Sequence, residues 1–147
     1  MHQNTLINII LSLAGFIGFL LSGFIYYKKI RKHPIICPLR SNCHVVINST
    51  YATVFGIPIE VLGMAYYAFI VISHLGLIIF PEIVDPFVIY FGIFISFGAF
   101  CFSLYLIYVQ ALILKEWCVW CMISAFLSTL IFIITILFFQ AIPFAIQ

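Results

Sequence analysis

Four long apolar runs divide the chain, and the polar stretches between them are short. The first, Leu6 to Tyr27, carries no charge. At 1.5 Å per residue it covers about 33 Å, enough to cross a bilayer core of about 30 Å. The others run from Ile57 to Phe80, Phe87 to Leu114 and Cys118 to about Phe139. The third is longer than a crossing needs and is expected to tilt. The pattern predicts an all-α membrane protein, one domain over residues 1–147. Its fold is a four transmembrane-helix bundle with a short interfacial helix in the first loop, residues 28–56. A secretory leader is a poor reading of the first run, which lacks a basic lead-in, exceeds 7–15 residues and is followed by no small-residue cleavage site.

The separators carry the remaining detail. A basic cluster, Lys28-Lys29-Ile30-Arg31-Lys32-His33, leads into a loop holding Pro34, Cys37, Pro38, Cys43 and His44. Residues 48–56 begin with capping types and end at Gly56, which predicts the short helix there. Pro58 suits the first turn of the second span, and Glu60 falls in that turn as a helix-end anion or a proton relay. Gly63, Ala65 and Ala68 would let a neighbouring helix come close. Residues 81–86 form a turn on the opposite side, and only Lys115, Glu116 and Trp117 separate the last two spans.

Composition agrees with lipid as the solvent. The chain is 66% hydrophobic and 7% charged, with a mean hydropathy of +1.30, against about 45–50% and about 25% for soluble domains. A net charge of +2 gives no footprint for nucleic acid. All six Lys and Arg flank the cysteine-bearing loops, and the positive-inside rule therefore points that face of a multi-pass cell-membrane protein to the cytoplasm. Mesophile cytosol keeps thiols reduced, so the extracytoplasmic orientation stays open as the alternative.

Four spans put Cys37, Cys43, Cys118 and Cys121 on one side of the membrane. Cys118 is expected in the first turn of the fourth span, where unpaired N–H groups and the helix dipole favour a thiolate. Cys121 lies one turn deeper on the same face. Two dithiol pairs, one in a loop and one fixed, suit a relay by thiol–disulfide exchange. Cys37 would meet an external thiol protein, Cys43 would bridge transiently to Cys118, and Cys121 would face an acceptor in the apolar phase. A lipid quinone fits, because it takes two electrons and two protons and lives in the bilayer. The rival reading is a metal-binding or metal-transporting membrane protein with four soft sulfur ligands, although the x5 spacing of the loop pair is wide for zinc. Cys101, within the third span, reads as a packing residue. His44 reads as an exposed loop residue beside Cys43, and His2, His33 and His74 as surface or interface residues. Trp117 and Trp120 read as interface anchors, Trp120 also as a wall of the quinone site.

One ordered set of residues resembles a known family. Cys37-x5-Cys43, Ser49 six residues later, Phe55-Gly56-Ile57-Pro58 with Gly63, and Cys118-Val119-Trp120-Cys121 resemble the vitamin K epoxide reductase family over roughly residues 5–140. The likeness is nearest to its prokaryotic quinone-dependent members. It implies a four-helix bundle around a quinone of menaquinone or ubiquinone type, capped by the first loop. It also implies Cys37 and Cys43 as shuttle cysteines, and Cys118 and Cys121 as the redox-active centre on the quinone side. Ser49, Phe55, Trp120 and Cys121 are the expected quinone contacts. Where many prokaryotic members carry a fused thioredoxin-like domain, this sequence ends at Gln147, so the expected redox partner is a separate thioredoxin-like protein. Ala125 stands where the vertebrate enzymes have a tyrosine, which argues against vitamin K epoxide as substrate.

Overall fold

The computed structural model describes the backbone over residues 2–31, 43–80, 82 and 85–146, and side chains over 5–31, 45–80, 82 and 85–137. Four helices long and apolar enough to cross a membrane make up the body: α1 (His2–Ile30), α3 (Ile59–Ile79), α4 (Pro86–Tyr108) and α5 (Val119–Ile146). The chain is an all-α, multi-pass membrane protein. Large apolar side chains point outward along every span, among them Phe16, Ile72, Phe94 and Phe126. In lipid this outward face costs nothing, and inside the bundle polar residues such as Asn8, Ser96 and Gln110 are buried beside apolar ones such as Leu11 and Ile131.

Helix α1 packs closely on α3 and also on α5, α5 packs on α4, and α3 and α4 scarcely touch. The α1–α3 seam uses the expected Gly63, whose Cβ position lies 3.0 Å from Ser22 Oγ, and also two glycines of α1. A Cβ on Gly18 would overlap the Tyr67 ring, and one on Gly15 would lie 2.9 Å from Val71. Tyr67, thus admitted, donates its hydroxyl to the Ser124 carbonyl at 2.8 Å and ties α3 to α5. With Leu11, Ile70 and Ile131 it forms an apolar floor across the bundle. Below this floor, His74 Nδ1 lies 2.9 Å from Asn8 Oδ1. His74 is therefore a buried stitch between α1 and α3, where the sequence suggested a surface or interface position.

Several element ends differ from expectation. Helix α1 runs on to Ile30 with Lys28 and Lys29 in its last turn. Lys28 Nζ stands 5.7 Å from the Phe24 ring centre, and Lys29 Nζ lies 3.4 Å from the Glu60 carboxylate. The interfacial helix is earlier than predicted: it is α2 (Cys43–Ile47). Residues 48–56 instead form a 3₁₀ turn at Thr50–Ala52 followed by a small antiparallel hairpin, β1 (Thr53–Val54) and β2 (Ile57–Pro58). Phe55 and Gly56 turn the hairpin with φ of 52° and 79°. Two consecutive positive φ values match the twist of a two-residue hairpin loop, so Gly56 serves a hairpin and not a helix end. Pro58 sits just before α3, extended at φ −60° and ψ 141°. Helix α4 is capped by Asp85, whose carboxylate accepts from the Phe87 N–H at 3.0 Å. It continues as a π-helical segment, Val109–Leu114, which stops at left-handed Lys115. Cys101 faces outward from α4 and is not a packing residue of the bundle interior.

Candidate functional site: a dithiol at the head of an intramembrane cavity

The chain direction brings the end of α1, α2, the hairpin, the start of α3, the π segment and the start of α5 to one end of the bundle. Cys118 lies immediately before α5, not inside its first turn. Its carbonyl accepts the first helical bond, from Met122 N–H at 3.0 Å. Its sulfur accepts from the Cys121 N–H at 3.3 Å. A sulfur therefore stands in the capping position usually held by a Ser or Asp oxygen, where unpaired N–H groups and the helix dipole favour negative charge. The Cys121 side chain and the N–H groups of Cys121 and Trp120 hold the Cys118 thiol below the ordinary range. Burial and the Glu60 carboxylate oppose them. Cys118 and Cys121 are both unbridged thiols.

Cys118 is fully buried in a cluster with Ile25, Val46 and Ile47, on which Trp120 and Cys121 pack. Val46 and Ile47 belong to the five-residue α2, which Cys43 begins. At 1.5 Å per residue, Cys43 is about one turn along that helix from the residues lying on Cys118. The side chain of Cys43 and the whole of Cys37 lie outside the described residues, as do Lys32, His33 and Arg40. Of this loop pair the structure therefore gives only the backbone start of α2 at Cys43, in the same short helix as Val46 and Ile47.

Cys121, besides packing on that cluster, lines a cavity of about 370 Å³ between α1, α3, α4 and α5. That volume falls within the range of small-molecule sites. Helices α3 and α4 touch at few points, among them Phe69 and Phe91, whose ring centres lie 5.6 Å apart, and Tyr66 and Ser96, whose hydroxyls lie 3.5 Å apart. Most of the wall is apolar, including Ile95, Phe102 and Leu106, and Tyr66, Tyr67, Ser103 and Ser124 set hydroxyls around it. Along α5 the lining falls at Cys121, Ser124, Ala125 and Ser128, the i, i+3, i+4, i+7 stripe of one helical face. That stripe was readable in the sequence beyond the cysteines, whereas Tyr66 and Tyr67 were not, because no spacing rule aims them inward. Glu60 is buried at the cavity rim, 3.4 Å from Lys29. It stands in the first turn of α3 and also lines the cavity.

Ser49, Phe55 and Trp120, expected from the resemblance as quinone contacts, do not line this cavity. Ser49 closes its own turn by donating to the Val46 carbonyl at 2.8 Å, and lines only a small cleft of about 20 Å³. Phe55 is 99% exposed at the hairpin tip. Trp120 packs on Phe24 with ring centres 5.6 Å apart, away from the large cavity. Of the four, Cys121 alone lines the large cavity. Gln110 was not anticipated. It is buried, lines both spaces, and its Oε1 accepts the Cys118 N–H at 3.0 Å.

The class defined by fold and site is a four-helix membrane bundle with a capped dithiol between a loop and an intramembrane cavity. Comparison with known proteins agrees. Residues 9–136 match the vitamin K epoxide reductase family, and the chain belongs to that family. It is 31% identical over 129 aligned positions to the thiol-disulfide oxidoreductase LTO1 of Arabidopsis thaliana, an alignment covering 78% of this chain. The chain spans about a third of that relative's length, 32%.

Proposed function

We propose that this chain makes disulfides by oxidising a separate thioredoxin-like protein and passing the electrons to a lipid quinone of menaquinone or ubiquinone type. The observation that carries the reading is the split environment of one pair: Cys118 lies under the loop, and Cys121 opens onto the cavity. Bound there, a quinone supplies a two-electron, two-proton acceptor. The cavity's size, apolar wall and ring of hydroxyls suit a ring with two carbonyl oxygens, and the gap between α3 and α4 suits entry from lipid.

The roles of the sulfurs follow. The partner's dithiol is oxidised as a Cys37–Cys43 disulfide is reduced, through a mixed disulfide on Cys37. Cys43 thiolate then attacks the Cys118–Cys121 disulfide at Cys118, and Cys37 resolves the Cys43–Cys118 bridge. Cys118 and Cys121 are left as thiols, and re-forming their S–S bond releases two electrons and two protons to the acceptor. Cys118 is the leaving group when Cys37 resolves the Cys43–Cys118 bridge, and the capping N–H groups favour its thiolate in that step. The cysteine end is assigned to the cytoplasm of the cell membrane, on the strength of Lys28, Lys29, Arg31 and Lys115 at that end.

The test uses purified full-length protein in detergent, a reduced thioredoxin-like protein and a short-chain quinone. Quinone-dependent dithiol oxidation that is lost in both Cys118→Ala and Cys121→Ala is the expected result; turnover surviving in both variants refutes the relay. Thiol titration of the same preparation, with metal analysis, separates the four-cysteine metal reading. That reading needs all four sulfurs reduced and metal in stoichiometric amount. Impermeant maleimide labelling of Cys37 in intact cells tests the orientation.

A further inference from the structure

Among the described residues, Gln110 is the uncharged polar side chain that touches both the peptide of Cys118 and the large cavity. It is 2% exposed and lies in the π-helical segment Val109–Leu114. Such segments depart from the regular ladder and recur at functional sites. The Cys118 N–H sits at the capping position and takes no part in the helix ladder, so once buried it needs an acceptor. The Gln110 Oε1, at 3.0 Å, is that acceptor.

This bond also fixes which way the amide points. A backbone N–H can only donate, so oxygen must face Cys118 and the NH₂ group must occupy the other arm. Gln110 lines both the large cavity and the cleft beneath the loop, and Cys121 lines both as well. With its oxygen committed, Gln110 offers those spaces a double donor. The rest of the large cavity's polar lining is mainly hydroxyl, apart from Glu60, an acceptor when ionised. A carbonyl oxygen on a flat ring next to Cys121 needs a donor. The need grows as that oxygen gains negative charge.

We propose that Gln110 joins the cavity to the cysteine pair: its oxygen positions the Cys118 peptide, and its amide nitrogen donates to a carbonyl oxygen of the bound quinone. The inference rests on the quinone reading given above. It assigns quinone affinity and Cys118 thiol chemistry to a single side chain. A Gln110 that merely fills space or satisfies one N–H would influence at most the second of these.

The experiment therefore reads both. Affinity is measured by quenching of tryptophan fluorescence on titrating a one-isoprene ubiquinone into the reduced protein in detergent. Thiol chemistry is measured as the pH profile of Cys118 carboxamidomethylation, followed by mass spectrometry. For Gln110→Met we expect quinone affinity about tenfold weaker, the scale of one lost hydrogen bond. We also expect the alkylation midpoint to rise, because Cys118 is no longer held against its donors. Wild-type affinity, or a wild-type alkylation profile, in folded Gln110→Met overturns the proposal. If the Met variant does not fold, Gln110→Asn keeps the amide but shortens its reach by one methylene. Affinity as in the wild type there overturns the proposal equally. Failure of the wild-type protein itself to bind or reduce quinone defeats the quinone reading instead, a result recognisable before any Gln110 variant is made.

Discussion

The N–H of Cys121 points at the sulfur of Cys118 from 3.3 Å, so the first cysteine of the motif caps the helix that carries the second. The Cys121 side chain and the N–H groups of Cys121 and Trp120 lower the Cys118 thiol pKa. A lowered thiol pKa keeps the thiolate to lower pH, and reactivity is lost as pH falls through that value. In reduced protein, Cys118 alkylation by iodoacetamide, normalised to its plateau, should therefore reach half-maximum below the value of about 8.5 for a free thiol. Cys118 sits before the span and Cys121 within it. A half-maximum at or above the free-thiol value removes the capping argument.

Gly18 meets the Tyr67 ring so closely that a Cβ there would overlap it. Gly18→Ala should cost about 1–3 kcal/mol, the usual range for overpacking. Gly76→Ala, with open space around its Cβ position, should be neutral or slightly stabilising. Thermal unfolding of the two variants in the same detergent reads the difference. Equal stabilities would mean that the α1–α3 seam is looser than described.

Asn8 and His74 are buried partners at 2.9 Å, far from the cysteines. Within a membrane such pairs couple by about 0.6 kcal/mol on average and up to about 1.7 kcal/mol. A double-mutant cycle with Asn8→Leu and His74→Leu should return a value in that range. Quinone-dependent turnover should stay near wild type in the folded variants. A large loss of turnover would give His74 a role in the reaction that its position does not suggest.

Ala125 lines the cavity one turn beyond Cys121. Ala125→Phe adds a ring to the space of about 370 Å³ and should weaken quinone binding about tenfold, equivalent to about 1.4 kcal/mol. Exchange between a reduced thiol protein and the Cys118–Cys121 disulfide should be unaffected. Equal slowing of both half-reactions would argue that the substitution disturbs the bundle as a whole.

How far the sequence alone reached can be seen residue by residue. Uninterrupted apolar runs longer than a bilayer is thick admit one structure, a spanning helix, because only intrahelical bonds satisfy the backbone in lipid. Counting the runs then put the flanking cysteines at one end, and the spacing of Cys118 and Cys121 put both at one helix start. Family resemblance rested on the same few residues, whose order along the chain needs no coordinates.

What only the tertiary structure decided are pairings between residues distant along the chain. Residues 48–56 have helix-capping types, yet the positive φ angles at Phe55 and Gly56 and the pairing of Val54 with Ile57 make a hairpin. Local preference yields there to cross-chain hydrogen bonds. Ser49, Phe55 and Trp120 were expected at a quinone by motif, but the large cavity is lined by other residues, drawn from α1, α3, α4 and α5. No single segment encodes that gathering. Tyr67 turns inward because Gly18 leaves it room on another helix, and Gln110 matters because Cys118, eight positions later, returns its peptide N–H to it. Apolar periodicity fixes what a segment becomes in lipid. Which polar groups meet inside depends on steric fit and hydrogen-bond demand between segments, and those are properties of the assembled bundle.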